Sequence, residues 1–266
     1  MNLALPIVFS VFSWWISTGF VLWLINRPVR AHRAIGRVTT ILGIAATVAI
    51  IPLREETTVA GAYLGFLVGL MLWAWHEVMF LLGFVSGPRK TPCPPGLSPA
   101  KRFWVSTQAI LHHEIGIAAH ALVIALLSIG ASNAAPAVTF CVLWAMKVSA
   151  KLLVFFGAPN IPEEFLPPHL RYLGSYFAKT PHPPAALCAL GITSAAAISM
   201  VFMVRAAMPG DFAHTILVLL TTLTGLAVLE HVALVVRLPD RALFSWALRP
   251  ARGAPDSDVT PGRTSQ

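Results

Sequence analysis

Seven apolar stretches divide this chain, each close to the thickness of a bilayer, and they leave it little choice of fold. A helix needs about 20 mostly apolar residues to cross the hydrocarbon core. Helices and closed barrels are the only spanning structures, because every backbone N–H and C=O must be satisfied without water. The stretches run 3–25, 38–53, 58–85, 103–131, 136–156, 185–208 and 212–236. The second is short, so it stands nearly upright or borrows flanking residues. Only 11% of the 266 residues are charged, against about 25% in an ordinary soluble domain. The expectation is an all-α polytopic membrane bundle, a single transmembrane domain over 1–249. A polar, Pro-, Gly- and Ser-rich tail at 250–266 is expected to be disordered. The first stretch is too long for a signal h-region and lacks a basic n-region, so it reads as a retained span.

The basic residues orient the bundle. Arg27, Arg30, Arg33 and Arg37 follow the first stretch, and Arg89, Lys90, Lys101 and Arg102 follow the third. Arg171 and Lys179 follow the fifth, and Arg237, Arg241, Arg249 and Arg252 the seventh. Loops after the even-numbered stretches hold few or none. Positive residues stay cytoplasmic, so the N-terminus is expected outside and the C-terminus in the cytoplasm. The net charge of +8 then reflects basic loops and not nucleic-acid binding. Cys93, Cys141 and Cys188 show no CxxC spacing, so neither a disulfide framework nor a zinc site is indicated.

Ionisable residues inside spans are costly and mark function by default. The third span holds His76 and Glu77, and the fourth holds His112, His113, Glu114 and His120. The fifth carries Lys147 and Lys151, four apart and therefore on one helix face, and the seventh carries Glu230 and His231. Counting about 1.5 Å per residue from the loops places His76, Glu77, His113, Glu114, Lys147, Glu230 and His231 at overlapping depths in the inner leaflet. His120 is expected about 10 Å deeper on the same count. His112 and His113 point about 100° apart and do not serve one small site. His32, His182 and His214 fall in loops or at span ends and read as solvated.

Three readings of this cluster stay open. It is a salt-bridge network in which Lys147 and Lys151 neutralise Glu77, Glu114 and Glu230. Or it binds a pigment, an imidazole ligating the magnesium of a chlorin. Or it holds a non-haem metal, since imidazole and carboxylate suit iron, zinc or manganese, although neither HxxxH nor HExxH spacing occurs. A retinal protein is excluded by the absence of lysine from the seventh span.

The stretch 144–177 concentrates further polar chemistry. Gly157 and Pro159 stop the fifth helix. Asn160 with Glu163 reads as a capping box, and Glu163, Glu164 and His169 form a cytoplasmic turn beside the cluster. Residues 169–179 read as an interfacial helix in the headgroup plane, with an apolar stripe of Leu170, Leu173 and Phe177, a polar stripe of Arg171, Ser175 and Lys179, and cations toward anionic lipid.

The segments WHEVMFLLGFVSGPRKTPCPPG, HHE and WAMKVSAKLLVFFGAPNIPEEFLPPHLRYLGSYF together resemble the PuhE-type photosynthetic complex assembly proteins of purple bacteria. The likeness is close over about 73–179 and otherwise rests on hydropathy. It implies a multi-pass protein of the bacterial inner (intracytoplasmic) membrane. It implies a factor that assists assembly of the reaction centre and core light-harvesting complex and influences bacteriochlorophyll supply. Its partners would be reaction-centre and core antenna subunits or other assembly factors, and its ligand bacteriochlorophyll or a precursor. The resemblance carries no catalytic residues. The alternative is a metal-dependent enzyme of tetrapyrrole or isoprenoid-pigment metabolism.

Overall fold

The computed structural model describes residues 3–160, 166–178, 182–236 and 244–247. Its long helices are α1 (Ala4–Ile25), α2 (Val29–Leu53), α3 (Val59–Leu81), α4 (Pro99–Leu127), α5 (Ala135–Phe156), α6 (Pro183–Ala206) and α7 (Phe212–Val235). A 3-10 helix, Pro168–Tyr176, lies between α5 and α6. All seven long helices have the length and hydropathy to cross a membrane, and the described residues contain no strand. The protein is a seven-span helical bundle in contact with the lipid bilayer.

Two helices extend beyond their apolar stretches. α2 begins at Val29, behind Pro28 with its extended ψ of 140°, so its first two turns carry Arg30 and Arg33. α4 begins at Pro99 behind Ser98. Hydropathy marks where a helix meets hydrocarbon, whereas capping marks where it begins. α3 ends earlier than its apolar run, at Leu81, because Gly83 takes a left-handed φ of +79°.

α3 is the hub, packed against α1, α2, α5 and α7. Half of its most apolar window is buried, against 6% for α6, which leans on α7 at the periphery. Gly65 and Gly69 bring the α3 backbone onto α5. A Cβ on Gly65 would stand 2.7 Å from the Ala135 Cβ, and one on Gly69 would stand 2.6 Å from the Thr139 Cβ. Small residues four apart let membrane helices approach this closely.

On the basic face, residues 82–98 fold back along α4. The Ser86 carbonyl accepts from the His113 N–H, and Gly87 presses on the backbone of Gln108 and Ala109. The 3-10 helix docks beneath them. Leu170, Leu173 and Tyr176 are buried against Phe80 and Ala109. Arg89 Nε donates to the Tyr176 hydroxyl at 2.7 Å, and Tyr176 donates to the Thr91 carbonyl at 2.7 Å. The helix expected after α5 is thus present as a 3-10 helix. Its repeat is three residues, so Tyr176 replaces Phe177 in the apolar stripe, and that stripe packs on protein.

Beyond α7, Phe244 and Ala247 are buried against Val21, Leu22, Leu24 and Ile25 of α1 and against Val78 and Leu82. The Trp246 indole covers Gly19. The expected 250–266 tail, and the acids at 163 and 164, lie outside the described residues.

Candidate functional site

The in-span ionisable residues fall into two groups on either side of His113. The first is a chain of imidazoles. His76 Nε2 meets His120 Nδ1 at 2.9 Å, and His120 Nε2 meets Thr47 Oγ1 at 3.0 Å. Thr47 donates its own hydroxyl proton to the Gly43 carbonyl at 2.8 Å. That assignment makes His120 Nε2–H the donor to Thr47 and His76 Nε2–H the donor to His120. Trp75 and Phe140 wall the chain, their ring centroids 5.3 and 5.8 Å from that of His120. His120 therefore belongs beside His76 and not 10 Å beyond it. The depth count failed because α3 runs only five residues past His76 whereas α4 runs 21 from Pro99 to His120. The two helices do not start from one plane.

The second group is charged. Lys147 Nζ reaches Glu230 Oε1 at 2.9 Å, and Lys151 Nζ reaches Glu114 Oε1 at 2.5 Å. Trp144 Nε1 donates to the other Glu114 oxygen at 3.3 Å. Glu77 interacts electrostatically with Lys147, yet its Oε1 is buried without a hydrogen-bond partner. The two ion pairs leave Glu77 as the third acid of the group. Each lysine and its acid is a quarter to a third exposed, so the two ion pairs are only partly enclosed by the helices that carry them.

His113 joins the groups. It is 1% exposed, its ring centroid lies 4.4 Å from Phe80 and 6.5 Å from His76, and its Nε2 has no partner. Lys151 acts on it electrostatically. A wholly buried imidazole nitrogen without a partner costs free energy.

His231 stands apart. It is fully buried, with Nδ1 on the Ala227 carbonyl at 2.7 Å and Nε2 on Ser149 Oγ at 2.9 Å. Both nitrogens are spent, Nδ1 within α7 and Nε2 on joining α7 to α5. His169 lies outside the spans, its Nε2 on the Leu81 carbonyl at 3.0 Å. Partial burial holds its pKa below the ordinary imidazole value, opposed by that carbonyl.

Among the other histidines, His214 and His32 depart from the solvated reading, whereas His182 is exposed as expected. His214 is buried in the first turn of α7, and its backbone N–H is capped by Asp211 at 2.7 Å. His32 is half-buried on α2, bonded to the Arg27 carbonyl at 2.8 Å. His182 caps α6 by accepting from the Ala185 N–H. His112 is exposed on the outer surface of α4. Among the described residues no group of three His, Cys, Asp or Glu side chains is arranged to hold a metal ion.

Two clefts open between helices on either side of the contact between Gly43 and Trp75. One, about 350 Å³, lies among α2, α3 and α4 with His120 and Thr47 in its wall. The other, about 420 Å³, lies among α1, α2 and α3 and has no titratable group in its wall.

The family described as Protein of unknown function (DUF3623) matches residues 1–254. The chain belongs to the DUF3623 family. A curated relative of this DUF3623 member is the "Uncharacterized 30.4 kDa protein in puhA 5'region" of Rhodobacter capsulatus. It is 36% identical over 246 residues, covering 90% of this chain and 88% of its own. No solved structure matches the chain.

Proposed function

We propose that the protein is a membrane assembly factor for the photosynthetic reaction centre and core light-harvesting complex, acting in the bacterial inner membrane on bacteriochlorophyll supply or insertion. The observation that carries this reading is the near full-length relative encoded in the puhA photosynthesis gene region. The partners would be reaction-centre and core antenna subunits or other assembly factors.

The side chains supply two features that such a factor needs. One is the charged cluster of Glu77, Glu114, Lys147, Lys151 and Glu230 with His113 buried beside it, which keeps polar groups among the spans. The other is His112, an exposed imidazole on the surface of α4. A magnesium chlorin takes one axial imidazole, and His112 suits that role because its ring is open. His113, His76, His120 and His231 are buried or already bonded. His112 would hold the pigment at the bundle surface, where a partner subunit can take it.

Disrupting the gene in a purple bacterium should lower the near-infrared bands of the core complex, and the wild-type gene should restore them. Unchanged bands would end the assembly reading. The purified chain should carry a chlorin band that His112→Leu removes. One or two metal ions per chain without pigment would instead favour the metal-enzyme alternative.

A further inference from the structure

We infer that the groove between α2 and α4 binds one anionic phospholipid from the leaflet on the basic face. Its acyl chain fills the apolar cleft there, and its phosphate meets Arg33 and Arg37. The site does not depend on the assembly role.

The cleft takes a chain and not a polar head. His120 and Thr47 stand in its wall, but their polar atoms are already bonded to each other, to His76 and to the Gly43 carbonyl. The surface left is that of Gly43, Ile44, Val48, Trp75, Ala119 and Val123. Ile44 and Val48 on one rim are 58% and 56% exposed, and Val123 on the other is 44% exposed. In a bilayer that mouth opens on lipid. A volume of about 350 Å³ lies at the small end of ligand sites and suits a length of hydrocarbon chain.

The helix that forms one rim also supplies the headgroup contacts. Arg30, Arg33, Arg37, Ile41, Ile44 and Val48 recur three and four residues apart, so they share one face of α2. Measured from Arg37, the cleft begins at Gly43, about 9 Å along the helix, and ends at Val48, about 17 Å along. One leaflet of hydrocarbon is about 15 Å deep. A lipid whose phosphate stands at Arg37 therefore lays its chain through the cleft.

Charge selects the lipid. Other arginines are committed to the protein. Arg27 donates to the Trp23 carbonyl and lies over its ring, and Arg102 donates to the carbonyls of Phe155 and Tyr176. The guanidinium groups of Arg30 and Arg33 have no such partner among the described residues, and Arg37 gives only its Nε, to the Arg33 carbonyl at 3.3 Å. All three are exposed. The described residues place no acid on this face. Glu55, Glu56 and Asp211 lie at the opposite ends of the helices, and Glu77, Glu114 and Glu230 lie within the spans. Like charges one turn apart on a helix repel, and a phosphate between them relieves that repulsion. A zwitterionic head does so less, because its ammonium stays beside its phosphate, so the site prefers a net negative head.

The test uses the purified full-length chain in neutral detergent and phosphatidylglycerol brominated on its chains, which quenches nearby indoles. Phosphatidylcholine with the same chains is the control, and glycerol phosphate is the competitor. The phosphatidylglycerol should quench saturably, and about tenfold more tightly than the phosphatidylcholine. Trp75→Phe should remove the saturable part of the quenching. Arg33→Gln and Arg37→Gln should each weaken the anionic lipid about fivefold, and raised salt should weaken it as well. Ala119→Phe fills the cleft, leaves the arginines in place and should abolish the saturable quenching. The two arginine variants change exposed residues only, so they keep the question answerable if Ala119→Phe proves unstable. Equal affinities for the two lipids would overturn the site, by showing a slot that any acyl chain fills. Unchanged affinity in the Arg33→Gln, Arg37→Gln double variant would overturn the headgroup contacts. Displacement by glycerol phosphate at the concentration of the lipid itself would overturn the lipid, by showing a soluble phosphate ligand.

Discussion

Lys147 and Lys151 stand on one face of α5 yet answer to acids on different helices. Lys147 binds Glu230 of α7 and Lys151 binds Glu114 of α4. Their spacing alone predicted a shared face and could not choose among three acids, since partner choice depends on how the helices pack. Lys147→Met should therefore lower the yield of folded protein, and adding Glu230→Gln should recover part of it. Glu114→Gln should not rescue Lys147→Met, though it should rescue Lys151→Met. Breaking a fully buried pair costs about 3–5 kcal/mol. These pairs are partly exposed, so a value nearer 1 kcal/mol is expected, read as detergent-solubilised folded yield. Rescue by the wrong acid would refute the pairing. His113 makes the opposite prediction. His113→Leu removes an unpaired buried polar atom at similar volume, so abundance should hold while the assembled core complex falls. Loss of the protein itself would assign His113 to structure.

At the scale of elements, seven helices were legible because the hydrocarbon core imposes one length on all of them. Their ends were not. Residues 29–37 and 99–102 carry five basic side chains, which hydropathy rejects and which a helix projecting past the bilayer accepts. The same blindness misplaced His120, although its seven-residue spacing from His113 already set the two on one face of α4. The helix after α5 was legible, but its stripe was assigned to Phe177 and not Tyr176 because the sequence does not reveal a three-residue repeat. The close crossing of α3 and α5 is written in Gly65 and Gly69, which recur at the small-residue spacing that such crossings use. Gly69→Val should push the helices apart at a cost of about 1–3 kcal/mol. Gly191→Ala, on α6 with nothing within 4 Å of its Cβ position, should be neutral or mildly stabilising. Thermal unfolding in detergent distinguishes them, and equal behaviour would remove the crossing as a determinant of the bundle.

At the scale of the whole molecule, the bundle has one basic face and one nearly neutral face, and the two are built differently. On the neutral face the loops are tied to each other. The Asn133 N–H donates to the Arg54 carbonyl at 2.8 Å, and the Arg54 guanidinium donates to the carbonyls of Leu127 and Ile129, both at 2.7 Å. Ser132 adds a bond to Glu55 at 2.8 Å. The loop after α2 and the loop after α4 must therefore lie on the same side of the membrane, whatever the absolute orientation. From the distribution of Arg and Lys we propose that the basic face lies in the cytoplasm. Reporters fused after Arg37, Arg102, Lys179 or Arg252 should read cytoplasmic, and those after Arg54 or Asn133 should read external. The paired positions make the experiment decisive at two levels. Opposite readings at Arg54 and Asn133 would contradict the seven-span bundle itself. Matching but cytoplasmic readings there would keep the bundle and invert it, moving the charged cluster of Glu77, His113 and Lys147 to the outer leaflet, away from subunits and pigments made in the cytoplasm.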